Sequence, residues 1–165
     1  MKPKLSYNVE DFLKMDDQVK AYYGLCDAII KEDRKFSPAE LRVLSLTDFL
    51  GLCCANGFDD LYWQARWAAV PSAELMNAID EPVLAERLWK CIAIVREYGQ
   101  KIRQDPFEPN SNHVDLDEAT EEKLRSPELD FCKDYGDWID WDVFCRKTMD
   151  YVRKNRELFT RISQP

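Results

Sequence analysis

The sequence predicts an all-α protein, a compact and irregular helical bundle in a single domain over residues 1–165. Three observations predict it. Apolar residues recur at steps of three and four along most of the chain, which aligns them on one face of an α-helix. Residues that start and stop helices fall between those stretches. The alternation that marks a strand is scarce. A chain of 165 residues, 45% hydrophobic and 12% aromatic, can bury roughly 70% of its unfolded surface, so a core forms without staples.

Each element follows in order. Val19, Tyr22, Tyr23, Cys26, Ile29 and Ile30 place a helix over about residues 16–33. Ser37-Pro38-Ala39-Glu40 reads as a capping box with proline at the first helical position. The helix it opens runs to about residue 55, and its apolar end, Phe49 to Ala55, predicts burial all round. Asn56-Gly57 fits a left-handed stop. An aromatic-rich helix is expected from Phe58 to Ala69, broken by Pro71, with a short helix over Ser72–Ile79. Asp80 is expected to cap a long helix carrying Leu84, Leu88, Cys91, Val95, Tyr98 and Ile102. Residues 105–112 read as a loop from their prolines and asparagines. Asp117 and Ser126-Pro127 each open a short helix. The last helix carries Trp138, Trp141, Cys145, Met149, Val152, Phe159 and Ile162.

The net charge of −8 disfavours direct contact with nucleic acid or anionic membrane and favours basic partners. No apolar stretch follows Lys2 and Lys4, and no run reaches the ~18 apolar residues of a membrane span. A cytoplasmic location is expected. The cysteines Cys26, Cys53, Cys54, Cys91, Cys132 and Cys145 form no C-x-x-C pair, and His113 is the lone histidine. They read as reduced, small hydrophobes in a core, and no metal or cofactor is expected. No glycine-rich phosphate loop is present. No serine or cysteine has a nucleophile elbow. His113 reads as a solvated loop residue. Trp63 with Trp67, and Trp138 with Trp141, share helical faces and read as core. Asp137 to Asp142 interleaves indoles with acids, which could turn the rings inward and leave aspartates at the rim.

The acidic excess is concentrated. Residues Asp105 to Asp142 hold 13 acidic and 3 basic side chains, a net of −10, and the remainder carries +2. Glu118, Glu121 and Glu122 fall on one helical face. Asp130, Asp134 and Asp137 do so if their helix is continuous. Carboxylates three or four residues apart lie about 5–6 Å from one another, and duplex DNA carries one charge per ~1.7 Å of axis. Rows of such carboxylates approach the charge spacing of a phosphate backbone. A solvated face is the alternative, and acids at a helix start are also stabilised by the macrodipole. Glu118, Glu121 and Glu122, with Glu128 and Asp130, also raise the possibility of a magnesium cluster like those of all-α nucleotide pyrophosphohydrolases.

The stretch from Leu46 to Tyr98 resembles the bacterial DNA-mimic protein family. The resemblance rests on Cys53-Cys54-Ala55-Asn56-Gly57-Phe58-Asp59-Asp60-Leu61-Tyr62-Trp63, an apolar helix ending in a turn before an aromatic helix. Ala85 to Ile92 looks like the family's later helix. Asn56 stands for the first glycine of the family's turn, and Asp60 for a usual glutamine. The resemblance covers about a third of the chain and concerns the fold rather than the binding residues. It implies a non-enzymatic helical homodimer that sequesters a helix-turn-helix transcription regulator and relieves repression. The partner-binding residues expected from the charge pattern are Glu118, Glu121, Glu122, Asp130, Asp134, Asp137 and Asp140, with Asp16 and Asp17 as a second patch. An acidic immunity or inhibitor protein against a nuclease would use similar carboxylates.

Overall fold

A computed structural model describes residues 6–53, 57–108, 114–133 and 140–160, with side chains to Ser126 in the third stretch. Among the described residues all regular structure is helical and no strand occurs, as the periodicity predicts. In chain order the helices are α1 (Val9–Leu13), α2 (Gln18–Ile30), α3 (Pro38–Asp48), α4 (Phe58–Ala65), α5 (Ala69–Ala78), α6 (Pro82–Ile102), α7 (Glu118–Lys133) and α8 (Trp141–Lys154). A π-helical turn, Phe49–Cys53, continues α3, and 3-10 turns cover Arg66–Ala68 and Arg156–Phe159. The chain gathers into two compact units, Met1–Leu44 with Asp140–Pro165, and Ser45–Ile139.

In the first unit α2 packs against α8. Tyr22, Leu25 and Ile29 meet a face of α8 carrying Cys145, Met149 and Val152, and all six are fully buried. The Tyr22 hydroxyl donates to the Val43 carbonyl at 3.0 Å, so its polar end is satisfied inside the core. The buried stripe of α2 is narrower than its periodicity suggests, because Tyr23 and Ile30 are exposed. The short α1 was not anticipated. Its signal is local: the Asn8 side chain accepts from the Glu10 amide at 3.2 Å, and Glu10 and Asp11 stand in the first turn.

The predicted capping box is formed and extended into a part-buried ion pair. The Glu40 amide donates to Ser37 Oγ at 3.2 Å, and the Ser37 amide donates to Glu40 Oε2 at 2.8 Å. Arg34 reaches the same carboxylate with both terminal nitrogens, at 2.9 and 2.5 Å, and the Tyr7 hydroxyl donates at 2.8 Å. Glu40 is 1% exposed. Burial alone would raise its pKa. The bonds from Arg34, Ser37 and Tyr7 outweigh burial and hold the carboxyl below its ordinary 4.5.

The second unit corrects several boundaries. Gly57 has φ 92° and ψ −175°, which lies outside the left-handed helical basin in a region almost confined to glycine. Asn56 lies outside the described residues. The break before α5 falls at Ala65–Ala68, not at Pro71. Pro71 sits in the first turn of α5, where its missing amide has no intrahelical acceptor to lose. Asp80 does not cap α6. It takes φ 60° as α5 ends, and the Glu81 amide closes back onto the Met76 carbonyl at 2.8 Å. Ser126-Pro127 does not start a new helix, because α7 runs through it.

Along α6, Leu84, Leu88, Cys91 and Val95 are fully buried, as predicted, while Ile102 is exposed. The helix stops at Arg103, in the left-handed conformation at φ 57° and ψ 40°, and the Gln104 amide returns to the Gly99 carbonyl at 2.9 Å. A non-glycine residue in this conformation costs about 1 kcal/mol relative to glycine. Gly99 is required by close approach. A Cβ there would stand 2.4 Å from the Gln104 carbonyl oxygen and 2.6 Å from Pro106.

Two stability predictions follow from these sites. Glu40→Ala should destabilise the protein by about 3 kcal/mol in urea denaturation, because the Ser37 amide, the Tyr7 hydroxyl and the half-buried Arg34 all lose their shared acceptor. The stabilisation from wild-type Glu40 is complete above its ordinary value of 4.5 and disappears as pH falls through its depressed native value. Gly99→Ala should lower stability by about 1–3 kcal/mol, since the clash falls on backbone.

Candidate acidic interaction surface

The aim of α7 is set by the chain that precedes it. After Arg103 the backbone doubles back over Gly99, and Phe107 becomes buried. Its ring meets Phe58 and Tyr62 edge-on, with centroids 6.4 and 6.0 Å away. The Arg96 guanidinium lies 5.8 Å from the centre of the Phe107 ring. Asp105 ties the turn together: it accepts from the Phe107 amide at 3.0 Å and faces Arg96 at 3.5 Å. The Tyr62 hydroxyl then donates to the Val114 carbonyl at 2.8 Å, and the chain enters α7 four residues later, at Glu118. Asp117 accepts from the Thr120 hydroxyl and the Thr120 amide, and these bonds lower its pKa.

Thr120 and Leu124 form the inner face of α7 and are buried. Glu118, Glu121 and Glu122 are exposed together with Arg125. At ~100° per residue these four fall within an arc of about 100°, and the three carboxylates span about 6 Å of rise. Duplex DNA presents some three or four charges over the same ~6 Å of axis. Arg125 lies inside the acidic arc and pairs with Glu122 at 2.9 Å. Neither Glu118 nor Glu121 has a side-chain partner among the described residues. Lys123, toward the side of the helix, pairs with Glu97 of α6 at 2.9 Å.

The remaining candidates divide. Asp130 is on α7, and its side chain lies outside the described residues. Asp134 and Asp137 lie wholly outside them, as do Trp138 and His113. Asp16, Asp17 and Asp140 belong to the first unit and are exposed. Asp17 caps α2 by accepting from the Lys20 amide at 2.9 Å. Asp140 caps α8 by accepting from the Asp142 and Val143 amides at 3.0 and 3.2 Å. Thus α7 brings together Glu118, Glu121 and Glu122, while Asp17 and Asp140 have helix ends to hold. The position of Arg125 was readable from the sequence, since 118, 121, 122 and 125 follow the helical spacing of one face.

Other expectations resolve as follows. Cys26, Cys53, Cys91 and Cys145 are buried, and none of the four is in a disulfide. Burial pushes the Cys26 thiol up to about 12 and the Cys145 thiol up to about 11, which suppresses the reactive thiolate. Trp63 is not core: it is 45% exposed, and Trp67 is half-buried beside it. Asp48 escaped the sequence reading. Burial raises its pKa against a hydrogen bond with Trp67. Among the described residues no group of three or more potential ligands is arranged to hold a metal ion, and no helix is long and apolar enough to cross a membrane. Comparison with known proteins finds no matching family model, no matching curated protein and no matching solved structure.

Asp117→Ala should loosen the first turn of α7, because the Thr120 amide and hydroxyl lose the Asp117 carboxylate and the amide keeps only the Asp117 carbonyl. Hydrogen exchange at Thr120 and Glu121 should accelerate while exchange in α6 stays unchanged.

Proposed function

We propose that the protein is a DNA mimic. Its surface carboxylates occupy the DNA-binding site of a helix-turn-helix transcription regulator and so relieve repression. The observation that supports this most is the exposed row of Glu118, Glu121 and Glu122 on α7, two of them without a side-chain partner among the described residues. A regulator holds DNA through Lys and Arg side chains on phosphates, and those contacts supply much of the affinity without reading a base. Carboxylates at similar density engage the same groups. A homodimer would present two such rows to a regulator built for two half-sites. The resemblance of Leu46 to Tyr98 to the DNA-mimic family supports the same reading. It supports no catalytic role.

The test is capture of partners from cell lysate at low salt, with the wild type, a Glu118→Gln/Glu121→Gln double variant and Arg125→Gln. The wild type should retain a helix-turn-helix regulator that added duplex DNA releases. Affinity should fall as salt rises from about 50 to 200 mM. The double variant should bind at least about five-fold more weakly, at roughly 0.5 kcal/mol per exposed charge. Arg125→Gln should bind more tightly, since it removes the cation inside the acidic arc. Recovery of a nuclease in place of a regulator would establish the inhibitor reading instead. Magnesium-dependent turnover of a nucleoside triphosphate, abolished by alanine at Glu121 and Glu122, would establish the pyrophosphohydrolase. Equal retention by the wild type and the double variant would exclude α7 as the binding surface.

A further inference from the structure

A cleft of about 320 Å³ lies where α6 ends, lined by Arg96, Gly99, Gln100, Arg103, Gln104 and Asp105. This volume is at the lower end of the range that holds small organic ligands. We infer that this cleft is a binding site for a small organic carboxylate, with Arg103 as its principal anchor.

Three features point there. The first is Arg103 itself. Its backbone is left-handed, a conformation in which glycine or asparagine would be more stable, yet the chain places an arginine there. Its side chain is exposed, lines the cleft, and has no hydrogen bond or ion pair among the described residues. Strain at such a position is held for a reason outside local backbone preference. The second feature is the support given to Arg96, which also lines the cleft. Arg96 is fixed between the Phe107 ring and the Asp105 carboxylate, and Gly99 lets the following turn close down on the helix. A binding group so held loses little freedom when a ligand arrives. The third is charge. Arg96 and Arg103 contribute two positive charges and Asp105 one negative, so the cleft carries +1 within a protein of net −8. That balance suits a monoanion over a dianionic phosphate. A planar guanidinium fork matches a carboxylate in bidentate geometry, and the carboxamides of Gln100 and Gln104 stand beside it.

The site is separate from the acidic arc of α7 and does not depend on the mimic reading. The probe is sodium benzoate, with benzamide as the neutral isostere and inorganic phosphate as the dianion, followed by amide and arginine side-chain resonances in two-dimensional NMR. Benzoate should shift the Arg103 and Gln104 signals saturably, with a dissociation constant in the millimolar range. Benzamide and phosphate should each bind at least ten-fold more weakly. Arg103→Gly should abolish the benzoate response while its melting temperature equals or exceeds that of the wild type, which separates lost binding from lost folding. Arg103→Gln should lose the response with the side-chain amide retained. The inference is overturned if benzoate produces no saturable shift, if benzamide or phosphate binds as well as benzoate, or if Arg103→Gly binds benzoate unchanged.

Discussion

The seating of Phe107 is the constraint on which the candidate surface of the second unit depends. A helix of 21 residues must end, and the chain must return across it before a new helix can start. Glycine at position 99 lets Gln104 and Pro106 come close, and the aromatic ring that follows finds a place against Phe58 and Tyr62. Tyr62 serves twice: its ring packs on Phe107, and its hydroxyl holds the Val114 carbonyl just ahead of α7. Burying rings of this size contributes about 2–3 kcal/mol each by area. The carboxylates of α7 are therefore aimed by apolar packing that carries none of their charge.

The same acidic residue types serve opposite ends in this chain. Glu40 is enclosed and meets four donors, so its charge is fully matched where water is absent. Glu118 and Glu121 stand in solvent with no matching cation among the described residues, where charge is well screened and the cost of leaving it unpaired is small. A buried carboxylate of the first kind makes a local architecture specific. An exposed one of the second kind keeps its interaction energy for something that arrives from outside. Net charge does not distinguish the two, and environment does.

Much of the fold was legible because it follows local rules. The Ser37 to Glu40 box needs only a hydroxyl, a carboxylate and a three-residue spacing, and both of its bonds form. The stripe of α6 needs only apolar residues at helical steps. The errors fall where one residue type satisfies two geometries. Proline reads as a helix boundary, a break at Pro71 and a start at Pro127, yet Pro71 costs nothing in a first turn and α7 continues past Pro127. Asp80 reads as an N-cap because aspartate favours that role, but aspartate also tolerates the left-handed backbone, and the end of α5 used it so. Trp63 and Trp67 were expected on one helical face, but α4 ends at Ala65, so Trp67 lies in the 3-10 turn beyond it and Trp63 is exposed. The acidic arc was legible for the same reason as α6. Arg103 was not, since nothing in sequence marks an arginine as left-handed.

Caps change how the acidic stretch should be counted. Asp117 and Asp140 both fall in the segment of net −10, and each already accepts bonds from the first turn of the helix it precedes. Glu122 is paired with Arg125. A carboxylate committed to a cap or a cation must give up that bond before it can meet a partner's lysine or arginine, which offsets much of what the new contact contributes. Glu118 and Glu121 have no such bond to surrender among the described residues. Electrostatic attraction at long range still reflects the whole acidic segment, because distant charges act through their sum. Contact energy at short range depends on the uncommitted carboxylates alone. In the proposed mimic, steering and grip would fall to different members of one acidic stretch, and on α7 the grip would rest on a single helical turn.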